Sequence, residues 1–549
     1  MKYLKTDAVI LFLLILGYFI LATREITFPG ASFEEIACAN GTINFLLNKE
    51  PNYIFYFPFL GKQFPLMVSN HLPAIRSYLL VPFFTIFGIS VFSLRLASIS
   101  FGALTLLFAY LCARQLYNCK VATIASLFLI TSPYFILAVR LGHSYWIFFA
   151  FAALFFILEW HKDGKIIYFI LATLLLGLGT STSSWFIVFL GGLSITAIIF
   201  QREIRAKIKE SRIVSAWPYI ILGFFTFCLG NFLFLYANLI HEPKFVTINW
   251  LLNNFRHTGF GVDNLSYMNN FVSRINNLKE LLGQVDLINN VTFSSLIPNR
   301  FYYFLFLFSM LGLICLLFFS KAMYFKKKNI CFLLILMFTI LALSPITVSS
   351  FASWHLFVLA PMIYISIVVG LIEINHSFRD SLFKRVSFIT MLALILIPIT
   401  LNLNTLKNCY ANAKEVVYRD LWSDNVYELV DWLRADKHSK VISINLGFFR
   451  NIYFLTGGEI YVEDCFDFFS QEIKKDLAIQ WFLNSFKDAG NIYLFNAQTY
   501  TQFGKYEKAD IPRFETFMEA VKISGKNLIK EKVFYQKDGQ QIYIVFAVK

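Results

Sequence analysis

Residues 72–90 read LPAIRSYLLVPFFTIFGIS, and the topology of the whole chain turns on them. A spanning helix needs about 20 apolar residues, so length alone admits this run as a span. It also carries Arg76, two prolines and Gly88. Counted as a span, it would throw the basic cluster Arg202 to Arg212 to the outer side, against the rule that cytoplasmic loops collect Lys and Arg. The reading adopted is a juxtamembrane helix lying in the interface, with Arg76 near the headgroups.

Outward from that stretch, the apolar runs give about eleven spans, near 7–23, 95–114, 121–139, 144–160, 165–180, 184–200, 215–236, 301–320, 329–345, 354–373 and 386–404. With the N-terminus inside, the loops holding Arg114/Lys120, Lys162/Lys165, Arg202 to Arg212, Lys321 to Lys328 and Arg379 to Arg385 are all cytoplasmic. The long, less basic segments 24–94, 237–300 and the tail after 404 then share the exoplasmic side, which is where chemistry is expected. The expected fold class is an α-helical polytopic membrane protein, residues 1–404, followed by a small soluble α/β domain, residues 405–549. In that tail short strands near 440–445, 459–463, 491–496, 530–535 and 541–547 alternate with helices near 423–435, 470–486 and 512–523. The segment FVSRINNLKELLGQV (271–285) places apolar residues at helical spacing and predicts a surface helix in the 237–300 loop.

Composition agrees. Of 549 residues, 57% are hydrophobic, 15% are charged and 64 are Phe, and the mean hydropathy is +0.61. Lipid is the solvent of such a chain. The net charge of +14 is spread in short clusters between apolar runs, so it speaks for membrane orientation rather than nucleic acid. The eight Cys have no paired spacing, and neither a zinc site nor a disulfide framework is expected. The first apolar run is read as a retained helix rather than a signal peptide, because Arg24-Glu25 follows without a small-x-small cleavage site.

Candidate site residues gather on the outer side. Glu34 and Glu35 stand in FPGASFEEIACAN (28–40), just past the first span. A carboxylate there can act as a general base on a hydroxyl or bind a divalent metal such as Mg or Mn; its ordinary alternative is a solvated helix start. Arg76, Arg95 and Arg140 lie at outer helix ends and Lys62 in the same loop, where a cation can meet a lipid-linked phosphate. Snorkelling is the ordinary alternative for each. His71 in the first loop, His143 and Tyr145 in RLGHSYW (140–146), and His355 in ASWHLF (352–357) are candidate substrate contacts. Glu242, Asp263 and Asp286 add carboxylates in the 237–300 loop with no motif around them.

From FEEIA, through PAIRSYLLVPFFTIFGISVFSLRLASISFGALTLLFAYLCARQLY (73–117), to SPYFILAVRLGHS (132–144), the succession resembles the GT-C membrane glycosyltransferases. The likeness is to the family 39 type, that of protein mannosyltransferases and lipid A aminoarabinose transferases, and it covers roughly residues 7–200. It implies sugar transfer from a polyprenyl-phosphate donor to a lipid, glycan or protein acceptor at the outer face of a plasma membrane, the bacterial inner membrane in the first instance. The family's catalytic Asp falls on Glu34 and its following Glu on Glu35. The basic residue of its surface helix falls on Arg76, and the Arg opening its second span on Arg95. Many relatives carry a further acid a few positions after the Arg of RLGHSYW, and this chain has none there. Other readings are a lipid-linked oligosaccharide polymerase, ligase or flippase, a secondary transporter, for which the two related halves are missing, and an inactive GT-C relative.

Overall fold

The computed structural model describes residues 2–49, 55–69, 72–210, 217–242, 244–249, 252, 266–292, 296–320, 323–346, 352–378, 381–418, 422–436, 440–444, 448–464, 475–488, 490–497 and 507–549, with backbone alone at 2–6, 34, 208–210, 218, 381 and 507–513. All of the expected spans fall on helices. Six helices in the described residues are long and apolar enough to cross a membrane, and two bent pairs bring the number to eight. The bent pairs are Phe186–Ile199 with Gln201–Lys207, at 76°, and Tyr219–Gly230 with Phe232–Leu239, at 79°. Shorter apolar helices occupy Asp7–Thr23, Cys119–Thr131 and Ile166–Thr180.

The turn expected at 140–143 is tighter than a loop. Pro133–Ala138 runs into a single wide helical turn, Val139–His143, before Ser144–Asp163 begins, and the break falls at Gly142 with φ 85°. Only glycine takes this left-handed conformation without strain. The 72–90 stretch forms helix Ile75–Phe87.

The first loop holds more than helices. After helix Phe33–Leu47 comes a three-stranded antiparallel sheet of Phe55–Phe59, Lys62–Ser69 and Leu72–Pro73. Its hairpin closes through Leu60 and Gly61, both at positive φ (50° and 73°), which matches the right-handed strand twist. In the expected 237–300 loop, helix Tyr267–Gly283 covers the FVSRINNLKELLGQV segment and a short helix, Asp286–Val291, follows.

The C-terminal residues form a five-stranded mixed sheet in the order 461–464, 440–443, 492–496, 541–548, 528–535, parallel in its first two pairings and antiparallel in the others. One element is unexpected. The sequence reading assigns no element between the strands near 440–445 and 459–463, yet Phe448–Leu455 is a helix, because adjacent parallel strands at 440–443 and 461–464 require a crossover between them.

That helix docks the sheet unit onto the first loop. Asn451 Nδ2 donates to the Ala31 carbonyl at 2.6 Å, Tyr453 donates to the Asn44 side chain, and Lys49 Nζ donates to the Gly458 carbonyl at 2.6 Å. Gly30 N donates to the Trp422 carbonyl at 2.8 Å; a Cβ on Gly30 would lie 2.2 Å from the Ser423 carbonyl oxygen, so only glycine allows this approach.

Candidate functional site

The chain leaves the first helix through a turn at 24–27 and irregular residues 28–32, and enters helix Phe33–Leu47 at Ser32. Ser32 N donates to Glu35 Oε1 at 2.7 Å, so Glu35 is turned back over the helix start. There it meets Arg95 side by side, through Nε to Oε2 at 3.0 Å and Nη2 to Oε1 at 2.7 Å. Arg95 gives its other N–H groups to the carbonyls of Ile26 and Pro29 at 2.8 Å and of Gly30 at 3.2 Å. Arg95 is 0% and Glu35 1% exposed. A buried pair is tolerated when geometry is bidentate and the leftover donors are satisfied.

This corrects two expectations. Arg95 has no N–H left for a donor phosphate, and Glu35 is tied to Arg95 and Ser32 rather than poised as a base. Together they pin the first loop to the second long span, Val91–Leu116.

Arg140 departs in a similar way. It is 4% exposed and donates to the carbonyls of Ala22 at 2.9 Å, Arg24, and Glu25 at 3.4 Å, with Tyr410 packed against its guanidinium. These are the last carbonyls of the first helix and of the turn after it, which a cation satisfies and stabilises. Arg140 thus caps a helix end, and it also forms part of the wall of a cavity of about 250 Å³ with Phe28, Leu137, Ile288 and Tyr418. Lys62 is exposed on the hairpin, its ammonium 5.4 Å from the centre of the Phe45 ring.

Arg76 differs from all of these. It lies in the first turn of helix Ile75–Phe87, its guanidinium 4.9 Å from the centre of the Tyr145 ring. Its Nη2 sits 2.6 Å from where a Cβ on Gly142 would be. Gly142 is therefore required twice, by its φ and by the space Arg76 fills. Arg76 Nε is buried with no hydrogen-bond partner among the described residues. Tyr145 is buried and its hydroxyl lies 3.4 Å from Ser98 Oγ, which fixes it as the pad beneath the cation. The same Gly142 position is 3.9 Å from the Glu35 Cα, so the start of the Glu34-bearing helix adjoins this cradle. Glu34 is the second residue of that helix; its side chain lies outside the described residues, as do His71 and Asp263.

His143 stacks on Trp354, centroids 5.6 Å apart and planes at 22°. His355 accepts from the Ala352 backbone through Nδ1 at 3.0 Å and packs on Trp185 at 4.4 Å. The four aromatic groups form one wall beside the Arg76 cradle, since His143 follows Gly142 directly. Helix Tyr267–Gly283 lies against the Ser353–Leu356 turn, and it brings a carboxylate that the sequence reading missed. Glu280 lies beside Ser353, whose hydroxyl accepts from the Tyr134 hydroxyl at 2.9 Å. Burial, and then the neighbouring Asp286, raises the Glu280 pKa above the usual carboxylate range; burial raises Asp286 as well. Glu242 is exposed and pairs with Lys244 at 3.5 Å. Among the described residues no three of His, Cys, Asp and Glu converge as they would to hold a metal ion.

Residues 71–229 match the family model described as dolichyl-phosphate-mannose-protein mannosyltransferase. Over nearly its whole length the chain also superposes on ArnT from Cupriavidus metallidurans, solved bound to undecaprenyl phosphate. The TM-score is 0.58 at 11% identity, covering 98% of this chain and 97% of that one. The chain has the GT-C fold. The Archaeoglobus fulgidus oligosaccharyltransferase in its apo form shares this GT-C architecture, with TM-score 0.53, 13% identity and coverage of 91% and 70%. So does the archaeal oligosaccharyltransferase AglB from Archaeoglobus fulgidus, in complex with an inhibitory peptide and a dolichol-phosphate, with TM-score 0.50, 14% identity and coverage of 99% and 74%. Curated protein sequences gave no match.

Proposed function

We propose that this GT-C protein transfers a sugar from a polyprenyl-phosphate donor to an acceptor hydroxyl at the outer face of a plasma membrane, with inversion at the anomeric carbon. The observation that carries the reading is Arg76, a guanidinium with a buried, unpartnered Nε among the described residues, held over Tyr145 in a cradle that only Gly142 permits. The donor's tail stays in lipid between helices and its phosphate meets Arg76 through charge-assisted hydrogen bonds. Glu34, at the adjoining helix start, takes the proton from the acceptor hydroxyl as the oxygen attacks the anomeric carbon. The bond from that carbon to the phosphate oxygen breaks, and the electron pair leaves on a phosphate whose charge Arg76 stabilises in place. Glu280 stands beside the Ser353 turn, in the other loop.

The proposed topology has about eleven spans, the N-terminus in the cytoplasm, and the first loop, the 237–300 loop and the 405–549 domain outside. The C-terminal sheet unit, docked on the first loop through Asn451 and Gly30, helps to select the acceptor. The test is sugar transfer in membranes holding the protein or its Glu34→Gln variant, supplied with labelled polyprenyl-phosphate sugars. Transfer that vanishes in the variant supports the reading; no transfer from any donor by folded protein sinks it.

A further inference from the structure

The hairpin of the first loop is oddly apolar at its tip. Phe59 and Leu60, at the end of strand Phe55–Phe59 and in the turn after it, are 52% and 86% exposed. Its base is packed: Phe55, Leu66 and Met67 form a small core with Ala237, backed by Leu233, Tyr236 and Val246. Phe57 meets Tyr236 edge-on at 5.4 Å, and Phe55 meets His241 at 4.7 Å. Hairpin and helix Phe232–Leu239 are therefore one body.

The helix's orientation says what that body lies on. Tyr219–Gly230 and Phe232–Leu239 meet at 79°. Spanning helices tilt on average by about 20° from the membrane normal, so a helix bent that far from one lies close to the membrane plane. Its Phe232, and Leu239 and Ile240 at its other end, are 53%, 50% and 60% exposed. Aromatic residues collect at the headgroup level, and exposed apolar surface continuous with a span marks membrane contact.

We infer that the hairpin 55–69 and helix Phe232–Leu239 form an interfacial raft seated in the outer leaflet, with Phe59 and Leu60 at the hairpin tip among the acyl chains and Lys62 at the phosphates. The raft is wired to the cradle. Ala74 N donates to the Leu66 carbonyl at 2.9 Å and the Tyr78 hydroxyl to the Pro65 carbonyl at 2.7 Å, two residues to either side of Arg76. Seating the hairpin therefore sets the height of Arg76 above the acyl chains. This inference rests on the membrane reading of the spans and not on sugar transfer, so an inactive protein leaves it standing.

The experiment places an environment-sensitive fluorescent amino acid at Phe59, and in a second protein at Asp538, an exposed turn of the C-terminal sheet. Both full-length proteins go into phospholipid nanodiscs with plain or chain-brominated lipid. The expected result is blue-shifted emission at 59, mostly lost in brominated lipid, with position 538 unshifted and unquenched. Water-like, unquenched emission at 59 overturns the raft, as does equal quenching at both positions, which would show the probe itself seeking lipid.

Discussion

Arg95 and Arg76 are the same residue type at neighbouring helix starts, and the protein uses them in opposite ways. Arg95 is fully buried, with every N–H placed on Glu35 or on a backbone carbonyl of the first loop. Arg76 rests on an aromatic face with Nε unpartnered among the described residues. A guanidinium whose donors are saturated by protein builds structure, whereas one left unsaturated in a shaped cradle is available to an anion. The first fixes the loop that the second needs, because the segment Arg95 ties down leads into the helix start beside Gly142.

The sharpest break in that comparison is Arg95→Met. It strands Glu35 in a buried setting, and the loss of one partner of such a pair is about 3–5 kcal/mol, a large part of an ordinary protein's stability. Little folded protein is expected by size exclusion and thermal unfolding in detergent. Adding Glu35→Gln should restore part of it.

Arg76→Gln should leave melting unchanged while transfer falls about 10²–10³-fold, the range for removing one preorganised charge-stabilising donor. Arg76→Lys should recover only part of that activity, since the ammonium lacks the planar fork. Equal losses of fold in Arg76 and Arg95 variants would erase the distinction. Gly142→Ala comes next: the left-handed backbone alone disfavours alanine by roughly 1–2 kcal/mol, and the new methyl displaces Arg76. The donor KM should rise more than kcat falls.

Removing a docking contact is milder. Asn451→Ala deletes the bond to the Ala31 carbonyl and should lower stability by about 1 kcal/mol, read as a small drop in the melting point. The smallest effect is a pH dependence. Glu280 is raised in the folded state, so the stability it contributes is fully present below its unfolded value and is lost as pH rises through the raised value. Glu280→Gln should flatten that decline, seen as melting points that differ less between pH 5 and 8.

The membrane helices, a helix carrying Arg76 and most of the C-terminal strands were legible because apolar run length, loop charge and alternation are local signals. The pairing of Arg95 with Glu35 was not, because 60 residues separate them and each looks alone like an interfacial charge. The helix at Phe448–Leu455 was not foreseen, because the parallel sheet that demands it is a tertiary fact. The hairpin at 55–69 was passed over although its Leu-Gly turn between aromatic runs was in view. Glu280 had no motif around it; only the packing of helix Tyr267–Gly283 on the Ser353 turn gives it a buried setting.

The most direct test of the division between the two arginines is the affinity of purified protein and Arg76→Gln for a polyprenyl phosphate, with melting points taken on the same samples. The expected result is binding weakened at least about tenfold, some 1.4 kcal/mol, at an unchanged melting point. Undiminished binding by folded Arg76→Gln protein would contradict the assignment of the phosphate to Arg76.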